Sequence, residues 1–479
     1  MTTLLPPREG ISYLTHQEVG VRWMLAREEV AAVVCRGGIL ADDMGLGKTF
    51  QTIGMIKNGL PLRTLIICPP PLISAWNDEL KACGYSVGVM VGGTASWSVP
   101  DDASVSYTVW LTSYPKACLY RRFIATATIP FLRVVLDEGH IIRNGRHTSR
   151  WLNCMAIARR ALCRWILSAT PVQNGPSDWR NLCWWLRVRC HSSIIPELAP
   201  TIMLRRTMEE LRGEIDALPP HPRFVEHNLS IPAPDAEGTD EGTDEGTDEG
   251  KLFRVLCDQM DHAVENKSMS ALIKLELWMR IQQFLVHPQI YIEAMRAKLG
   301  GAYTRTDWAN EGGATKWTAC IKELAAAVAA REATIVFCNF TREMDMVQEA
   351  AQAMHASVFA IRGGMGVEKV GEAVKGARAA EGEGKAVVVV VQIVSGGSGL
   401  NLQFCKRILF LSMHWNPAVV HQAVGRAVRI GQSQVVHIHL FRIRDDVCDN
   451  IDRRMLQLHL QKIAGAQDVC ASLYSGFLA

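Results

Sequence analysis

The sequence has no Cys-x-x-Cys pair; its fourteen cysteines stand singly along 479 residues. Single spacing argues against structural zinc and against a disulfide framework. Cys183, Cys190 and His191 come nearest to a ligand set, but a fourth ligand at suitable spacing is missing, and scattered thiols are the plainer reading. The Met1 end reads Thr-Thr-Leu-Leu-Pro-Pro-Arg and shows no secretory leader, which together with the single cysteines points to a reducing, intracellular compartment. No apolar run approaches the ~20 residues that cross a bilayer, so no membrane is expected as a partner; Ala386 to Val391 reads as a buried strand.

Basic residues are absent from one stretch, Asp235 to Glu249, which carries eight carboxylates. The chain's formal net charge is +3, so without those eight the rest carries +11, and a polyanionic partner is permitted. Within that stretch Glu-Gly-Thr-Asp occurs three times from Glu237 to Asp248; glycine at every fourth position and repelling carboxylates leave nothing to bury, which predicts an extended, disordered linker. An acidic lure for basic proteins is the functional alternative to a repeat expanded in a tolerant loop. With 48% hydrophobic and 21% charged residues the remainder should fold as a soluble protein of two or three domains.

Short β-branched runs recur, each followed by turn residues and a helical segment, as in parallel α/β construction. Strands are expected at Gly38 to Ala41, Thr64 to Cys68, Val109 to Thr112, Arg133 to Leu136 and Trp165 to Ser168. A second series is expected at Thr334 to Cys338, Ser357 to Ile361, Ala386 to Gln392, Arg407 to Leu411 and Val435 to Phe441. Two such series imply two lobes: residues 1–230, then an acidic linker over 231–250, a helical insert over 251–312, and a second lobe over 313–479.

The strongest local signal is Gly-Ile-Leu-Ala-Asp-Asp-Met-Gly-Leu-Gly-Lys-Thr, Gly38 to Thr49, a strand, a glycine-containing loop and a helix from Thr49. Such a loop, Asp42, Asp43, Met44, Gly45, Leu46 and Gly47, aims backbone N–H groups and a helix N-terminus at phosphates; Lys48 reaches the β and γ phosphates and Thr49 ligates Mg²⁺. Asp42 takes the place of the first glycine of the strict P-loop pattern. Downstream, Arg-Val-Val-Leu-Asp-Glu-Gly-His delivers Asp137 and Glu138 to a strand's carboxyl end, where Asp137 would hold Mg²⁺ and Glu138 would orient the attacking water. Further on, His421 to Gln432 sets Arg426 and Arg429 one helical turn apart, so both could project from one face. Taken alone, that pair reads as a solvated helix surface.

In series these fragments decide more. Leu14-Thr15-His16-Gln17, Asp43 to Thr49, Cys68-Pro69-Pro70 with Trp76 and Glu79, Asp137 to His140, Ser168 to Asn174 and Leu204-Arg205-Arg206-Thr207 resemble the first lobe of the SWI/SNF-type ATPases of helicase superfamily two. Val336-Phe337-Cys338, Ser395 to Leu402, Trp415-Asn416-Pro417 and Gln422 to Gln432 resemble that family's second lobe, in the same order. The resemblance implies two tandem RecA-like parallel-sheet lobes with helical insertions, and ATP with Mg²⁺ as cofactors. It implies that Gln17 reads adenine, that His140, Ser168, Thr170 and Gln422 couple nucleotide state to the track, and that Thr112, Ser113, Asn401 and Trp415 meet nucleic acid. Arg426 and Arg429 become arginine fingers, and Arg280 to Pro288 the helical lead into the second lobe.

The implied activity is an ATP-driven translocase on duplex DNA that remodels or displaces bound protein, nucleosomes or transcription complexes among them, in the nucleus if the host is eukaryotic. A strand-separating helicase or transcription-complex release motor, and a DNA-binding scaffold without hydrolysis, are the alternatives. The intact Lys48, Asp137, Glu138 and arginine pair argue against the scaffold. Gly139 stands for the commoner alanine, Ser168-Ala169-Thr170 for Thr-Gly-Thr, and Gly425 and Val428 for Asp and His; the last two changes lean toward the wider superfamily.

Overall fold

The computed structural model describes residues 3–29, 35–90, 96–98, 108–190, 195–231, 245–266, 268–308, 314–396, 400–444, 452 and 455. His191, Gly397, Ser398 and Gly399 lie outside the described residues, as do 232–244 of the acidic stretch. The chain divides into two compact units whose main bodies are Met1–Leu218 and Pro219–Val428. Each is built on a sheet of short apolar strands buried on both faces, the pattern of a parallel sheet covered by helices.

The first sheet takes β1 Gly37–Leu40, β2 Thr64–Cys68, β3 Ser86–Met90, β4 Trp97–Ser98, β5 Thr108–Ser113, β6 Arg133–Asp137, β7 Cys163–Leu167 and β8 Met203–Leu204. They lie in the order β4-β3-β5-β2-β6-β7-β1-β8, parallel except for the β3–β4 pair. Alternation along each strand feeds two cores: Val134 and Leu136 face Trp151, Ile157 and Trp179, while Val135 faces Met24, Trp76 and Trp165. Beneath this sheet the helix Thr15–Glu29 is fixed by a buried ion pair, Arg133 with Glu28. Arg133 Nε donates to Glu28 Oε1 at 2.7 Å, and Trp165 Nε1 donates to the same oxygen at 2.8 Å. A buried pair is tolerated when its remaining donors and acceptors are filled, and here Thr64 Oγ1 accepts a further bond from Arg133 at 3.1 Å.

The second sheet takes β9 Arg223–Leu229, β10 Thr334–Cys338, β11 Ser357–Ile361, β12 Val387–Gln392, β13 Arg407–Phe410 and β14 His437–Ile443, in the parallel order β11-β12-β10-β13-β14-β9. Val336, Cys338, Val388 and Val390 pack against Leu324, Met344 and Val347, with Val286 and Ile290 in the same core. The helices Ala271–Val286 and Pro288–Leu299 thus cap the second lobe. Among the described residues no helix is long and apolar enough to cross a membrane.

Two boundaries differ from those read in the sequence. The first unit ends at Leu218 rather than near residue 230, because β9 pairs with β14 over its whole length. Its polar alternation, Arg-Phe-Val-Glu-His-Asn-Leu, hides an edge strand whose outer side faces water. The acidic stretch is not irregular throughout: a helix runs over Glu245–Glu265. Leu252, Phe253 and Leu256 give it an apolar face, and Glu249 accepts from Thr315 N at 3.0 Å and Thr315 Oγ1 at 2.7 Å.

Candidate functional site

In the order β6-β7-β1, three neighbouring strands end side by side, with Asp137 opposite Leu167 and Leu40 opposite the same residue. The loop after β1, the Asp137-Glu138 pair after β6 and Ser168 after β7 are therefore gathered at one carboxyl edge, where open α/β sheets bind ligands.

The loop from Asp42 to Gly47 turns through two left-handed glycines, Gly45 at φ 87° and Gly47 at φ 81°, before the helix Lys48–Asn58. At Gly47 the left-handed backbone favours glycine, and a Cβ there would lie 2.6 Å from Gln17 Nε2, so that the Gln17 amide would have to move. Gln17 is buried, and its amide nitrogen stands 3.5 Å from the Leu46 carbonyl, while its oxygen accepts from Leu14 N at 3.1 Å. His16 Nε2 sits 2.9 Å from the same Leu46 oxygen. Lys48 Nζ donates to the Asp42 and Asp43 carbonyls at 2.6 and 3.1 Å, folded back into the loop it would leave to meet a phosphate. Burial lowers its proton affinity, against the pull of Glu138, Asp42, Asp43 and Asp137. Thr49 follows in the first helical turn.

The carboxylates of Asp42 and Asp43 turn to the protein. Arg206 Nε donates to Asp42 Oδ1 at 3.0 Å and its NH2 to Oδ2 at 2.5 Å; Gln51 Nε2 donates to Oδ2 at 3.0 Å. Asp43 accepts from Arg205 NH2 at 3.2 Å and from Met208 N at 3.0 Å. These two aspartates shape the loop through their side chains, and their backbone is what faces Lys48. Met44 and Leu46 are buried beneath it.

Asp137 is buried, and its Oδ2 accepts from Trp76 Nε1 at 2.8 Å while Oδ1 accepts from Glu138 N at 3.0 Å. Tyr114 donates to its backbone carbonyl at 2.9 Å. Burial, then the neighbouring Glu138 charge, push the Asp137 carboxyl up to about 6, against the Trp76 bond and Lys48. Glu138 holds φ 50°, a left-handed backbone that costs a non-glycine residue about 1 kcal/mol or more and that clusters at functional sites. Its carboxylate lies 3.3 Å from His140 Nδ1, which is 3.1 Å from Ser168 Oγ. Ser168 Oγ in turn accepts from Thr170 N at 3.3 Å, and Gln173 Nε2 donates to Thr170 Oγ1 at 3.2 Å. At Gly139 a Cβ would lie 2.6 Å from Ile166 Cγ2, so an alanine there would require Ile166 to shift.

A divalent cation suits this edge on chemical grounds. Its donor chemistry is hard oxygen: the Asp137 carboxylate, raised first by burial and then by the neighbouring Glu138 charge, would be favoured in its ionised form by a cation, with the Thr49 hydroxyl next to Lys48 in sequence as the candidate second ligand.

The remaining expected residues lie elsewhere. Thr112 is fully buried with its hydroxyl on Met90 Sδ at 3.5 Å, so its side chain is closed to nucleic acid; Ser113 is buried and caps the helix Tyr114–Leu119. In the second lobe Asn401 is exposed, Trp415 is 53% exposed, and Gln422 is buried on the helix Pro417–Val424. That helix ends at Gly425, so Arg426 and Arg429 stand in the turns after it and not within a regular helix as expected. Arg426 is buried, its carbonyl accepting from Leu402 N at 3.0 Å.

Sequence reading did not single out Arg206, Gln51, Tyr114 or the Trp76–Asp137 bond. Arg205-Arg206 was visible as a family fragment, but its partners lie more than 150 residues away, and only the fold joins them.

Comparison with known proteins finds matches to both halves of the chain. A model of the SNF2-related domain matches residues 16–195, and one of the helicase conserved C-terminal domain matches residues 315–431. The chain is 25% identical to a "Probable global transactivator" of Orgyia pseudotsugata multicapsid polyhedrosis virus, over 94% of this chain and 90% of that protein. It is 22% identical to transcription termination factor 2 of Drosophila melanogaster, over 98% of this chain and 57% of that one. To the SWI/SNF-related matrix-associated actin-dependent regulator of chromatin subfamily A member 1 of Mus musculus it is 23% identical, over 94% of this chain and 43% of that one. The chain thus spans most of the viral relative and about half of the other two.

Proposed function

This chain belongs to the SWI/SNF-type, DNA-dependent ATPases of helicase superfamily two, and from that premise we propose that it is a translocase which hydrolyses ATP to move along duplex DNA and displace or rearrange bound protein. The observation that carries the reading is the single carboxyl edge where Lys48, Asp137, Glu138 and Ser168 meet, because it joins phosphate binding, hydrolysis and a relay to the rest of the lobe. Lys48 exchanges the Asp42 and Asp43 carbonyls for the β and γ phosphates, and Gln17 reads the adenine. Thr49 and Asp137 would hold Mg²⁺, which supplies positive charge against the transferring phosphoryl group. Glu138, held in its left-handed backbone, orients the attacking water. His140 Nδ1 lies 3.3 Å from the Glu138 carboxylate and 3.1 Å from Ser168 Oγ, so a change at the γ phosphate that moves Glu138 is passed through the imidazole to Ser168, and from there by hydrogen bonds to Thr170 and Gln173.

Duplex DNA rather than RNA is favoured by Trp415-Asn416-Pro417 and Arg-Ile-Gly-Gln, the elements that separate this branch from RNA helicases. Protein displacement draws support from the relatives, one named for transcription termination and one for chromatin. Nuclear residence follows if the host is eukaryotic. A duplex-stimulated ATPase assay run beside strand displacement tests the proposal: duplex DNA should raise turnover, salt should suppress that rise steeply, and no strand should be released. Stimulation by single-stranded RNA but not by duplex DNA would overturn it.

A further inference from the structure

From Arg143 to Cys190 the chain carries nine arginines, no lysine, no glutamate and one aspartate, Asp178. Asp178 is already engaged: it is buried, and its Oδ2 accepts from Gln173 N at 2.9 Å and Asn174 N at 2.8 Å, with Arg143 Nε 4.0 Å away. Some of the arginines serve the fold. Arg164 is buried and donates to the Ala158 and Trp185 carbonyls at 2.6 and 2.5 Å, and Arg160 donates to the Ala127 carbonyl at 3.1 Å.

Others do not. Arg146 and Arg180 stand over the Trp184 ring, their guanidinium carbons 4.1 and 5.6 Å from its centroid. Among the described residues neither has a carboxylate within 4.0 Å. They line a cavity of about 700 Å³ with Arg143, His147 and Asn181. A second cavity of about 370 Å³ shares Arg146 and Trp184 and adds Arg187 and Arg189. Two adjoining concavities thus hold arginine after arginine, with one carboxylate, and that one satisfied from within.

We propose that these paired cavities around Trp184 bind successive backbone phosphates of nucleic acid, a contact surface on the first lobe beyond those the family motifs provide. The inference rests on the motor reading above. Arginine is the residue for this task because its planar fork meets two phosphate oxygens at once, where a lysine offers a point charge. Trp184 holds two of the forks by cation–π contact, which lowers the entropy lost on binding. Arg146 covers the ring face, so a base cannot stack there; the contact is to the backbone and independent of sequence. An acidic peptide would meet the same charge, but its carboxylates carry no run of evenly spaced tetrahedral anions to fill both cavities.

The test uses the full chain and measures duplex affinity against salt for wild type, Arg146→Ala, Arg180→Ala and the double variant, with a polyglutamate probe in parallel. Each lost phosphate contact should lower the slope of log K against log salt by about 0.9, and the double variant by roughly twice that, equally on unrelated duplex sequences. DNA-free ATPase activity should not change. Arg146→Lys should keep most of the slope, which separates lost charge from lost packing. Unchanged slopes in the double variant, or losses confined to polyglutamate, would overturn the phosphate site while leaving the motor reading intact. A wild type that binds no duplex would overturn both.

Discussion

Replacing Asp137 with Asn should stabilise the nucleotide-free protein at neutral pH while stopping turnover. The Asp137 carboxyl is raised from an ordinary 3.8 to about 6, chiefly by burial and next by Glu138. A carboxylate raised on folding costs stability wherever it is ionised in the fold; the cost is full above about pH 6 and vanishes below the unfolded value. A shift of about two units corresponds to about 3 kcal/mol as an upper figure. Asn has the same shape, and its one oxygen can still accept from Trp76 Nε1; the bond from Glu138 N is lost, because the NH2 group cannot accept it, and that loss lowers the net gain. For a lobe of this size 1 kcal/mol moves the midpoint by about 2–4 °C, so the first-lobe transition should rise by up to about 6–12 °C. Calorimetry of the full chain without nucleotide or Mg²⁺, at about pH 7.5 and about pH 5, reads this directly; the gap should roughly halve at the lower pH. Added Mg²⁺ should raise the wild-type midpoint and leave the variant where it was. A variant that melts at or below wild type near pH 7.5 would refute the argument, since the cation would then have no crowded charge to relieve.

Lys48→Ala should weaken ATP binding and abolish turnover, whereas Glu138→Gln should keep binding and stop hydrolysis; near-normal ATPase rates in either variant would remove those assignments. If Arg426 and Arg429 act as the resemblance implies, each alanine variant should keep ATP affinity and lose about 10³ to 10⁵ in duplex-stimulated turnover, with lysine a poor substitute; single-turnover kinetics decides. A neutral flexible linker of equal length over residues 237–244 should leave ATPase rates within a few-fold, while extending the exchange through Glu249 should lower the second lobe's melting midpoint, because the Thr315 contact goes with it.

The parts of this site that arise from neighbours in sequence were legible before the fold was known. A strand, two glycines and Lys48-Thr49 specify the phosphate loop, and four apolar residues before Asp137 specify a strand that presents it. What was hidden depends on chain closure. Arg206 reaches Asp42 and Trp76 reaches Asp137 only because β8 and the helix Leu72–Ala82 pack beside strands far away in sequence. Periodicity misled in two places: it put Arg426 and Arg429 one helical turn apart, where Gly425 ends the helix, and it offered no strand at β9, whose polar alternation gives little apolar signal. Thr112 shows the limit of carrying roles by motif position, since the strand that bears it buries it. Glycine and charge content marked 245–249 as irregular, but the apolar residues that follow draw them into a helix.

Displacement of a third strand from a duplex tests the central claim most directly, because it reports motion along double-stranded DNA without requiring the strands to part. The account predicts ATP-dependent release of the third strand by wild type, none by Glu138→Gln, and no separation of the underlying duplex. Hydrolysis stimulated by duplex DNA with the third strand left in place, or release that proceeds without ATP, would contradict it.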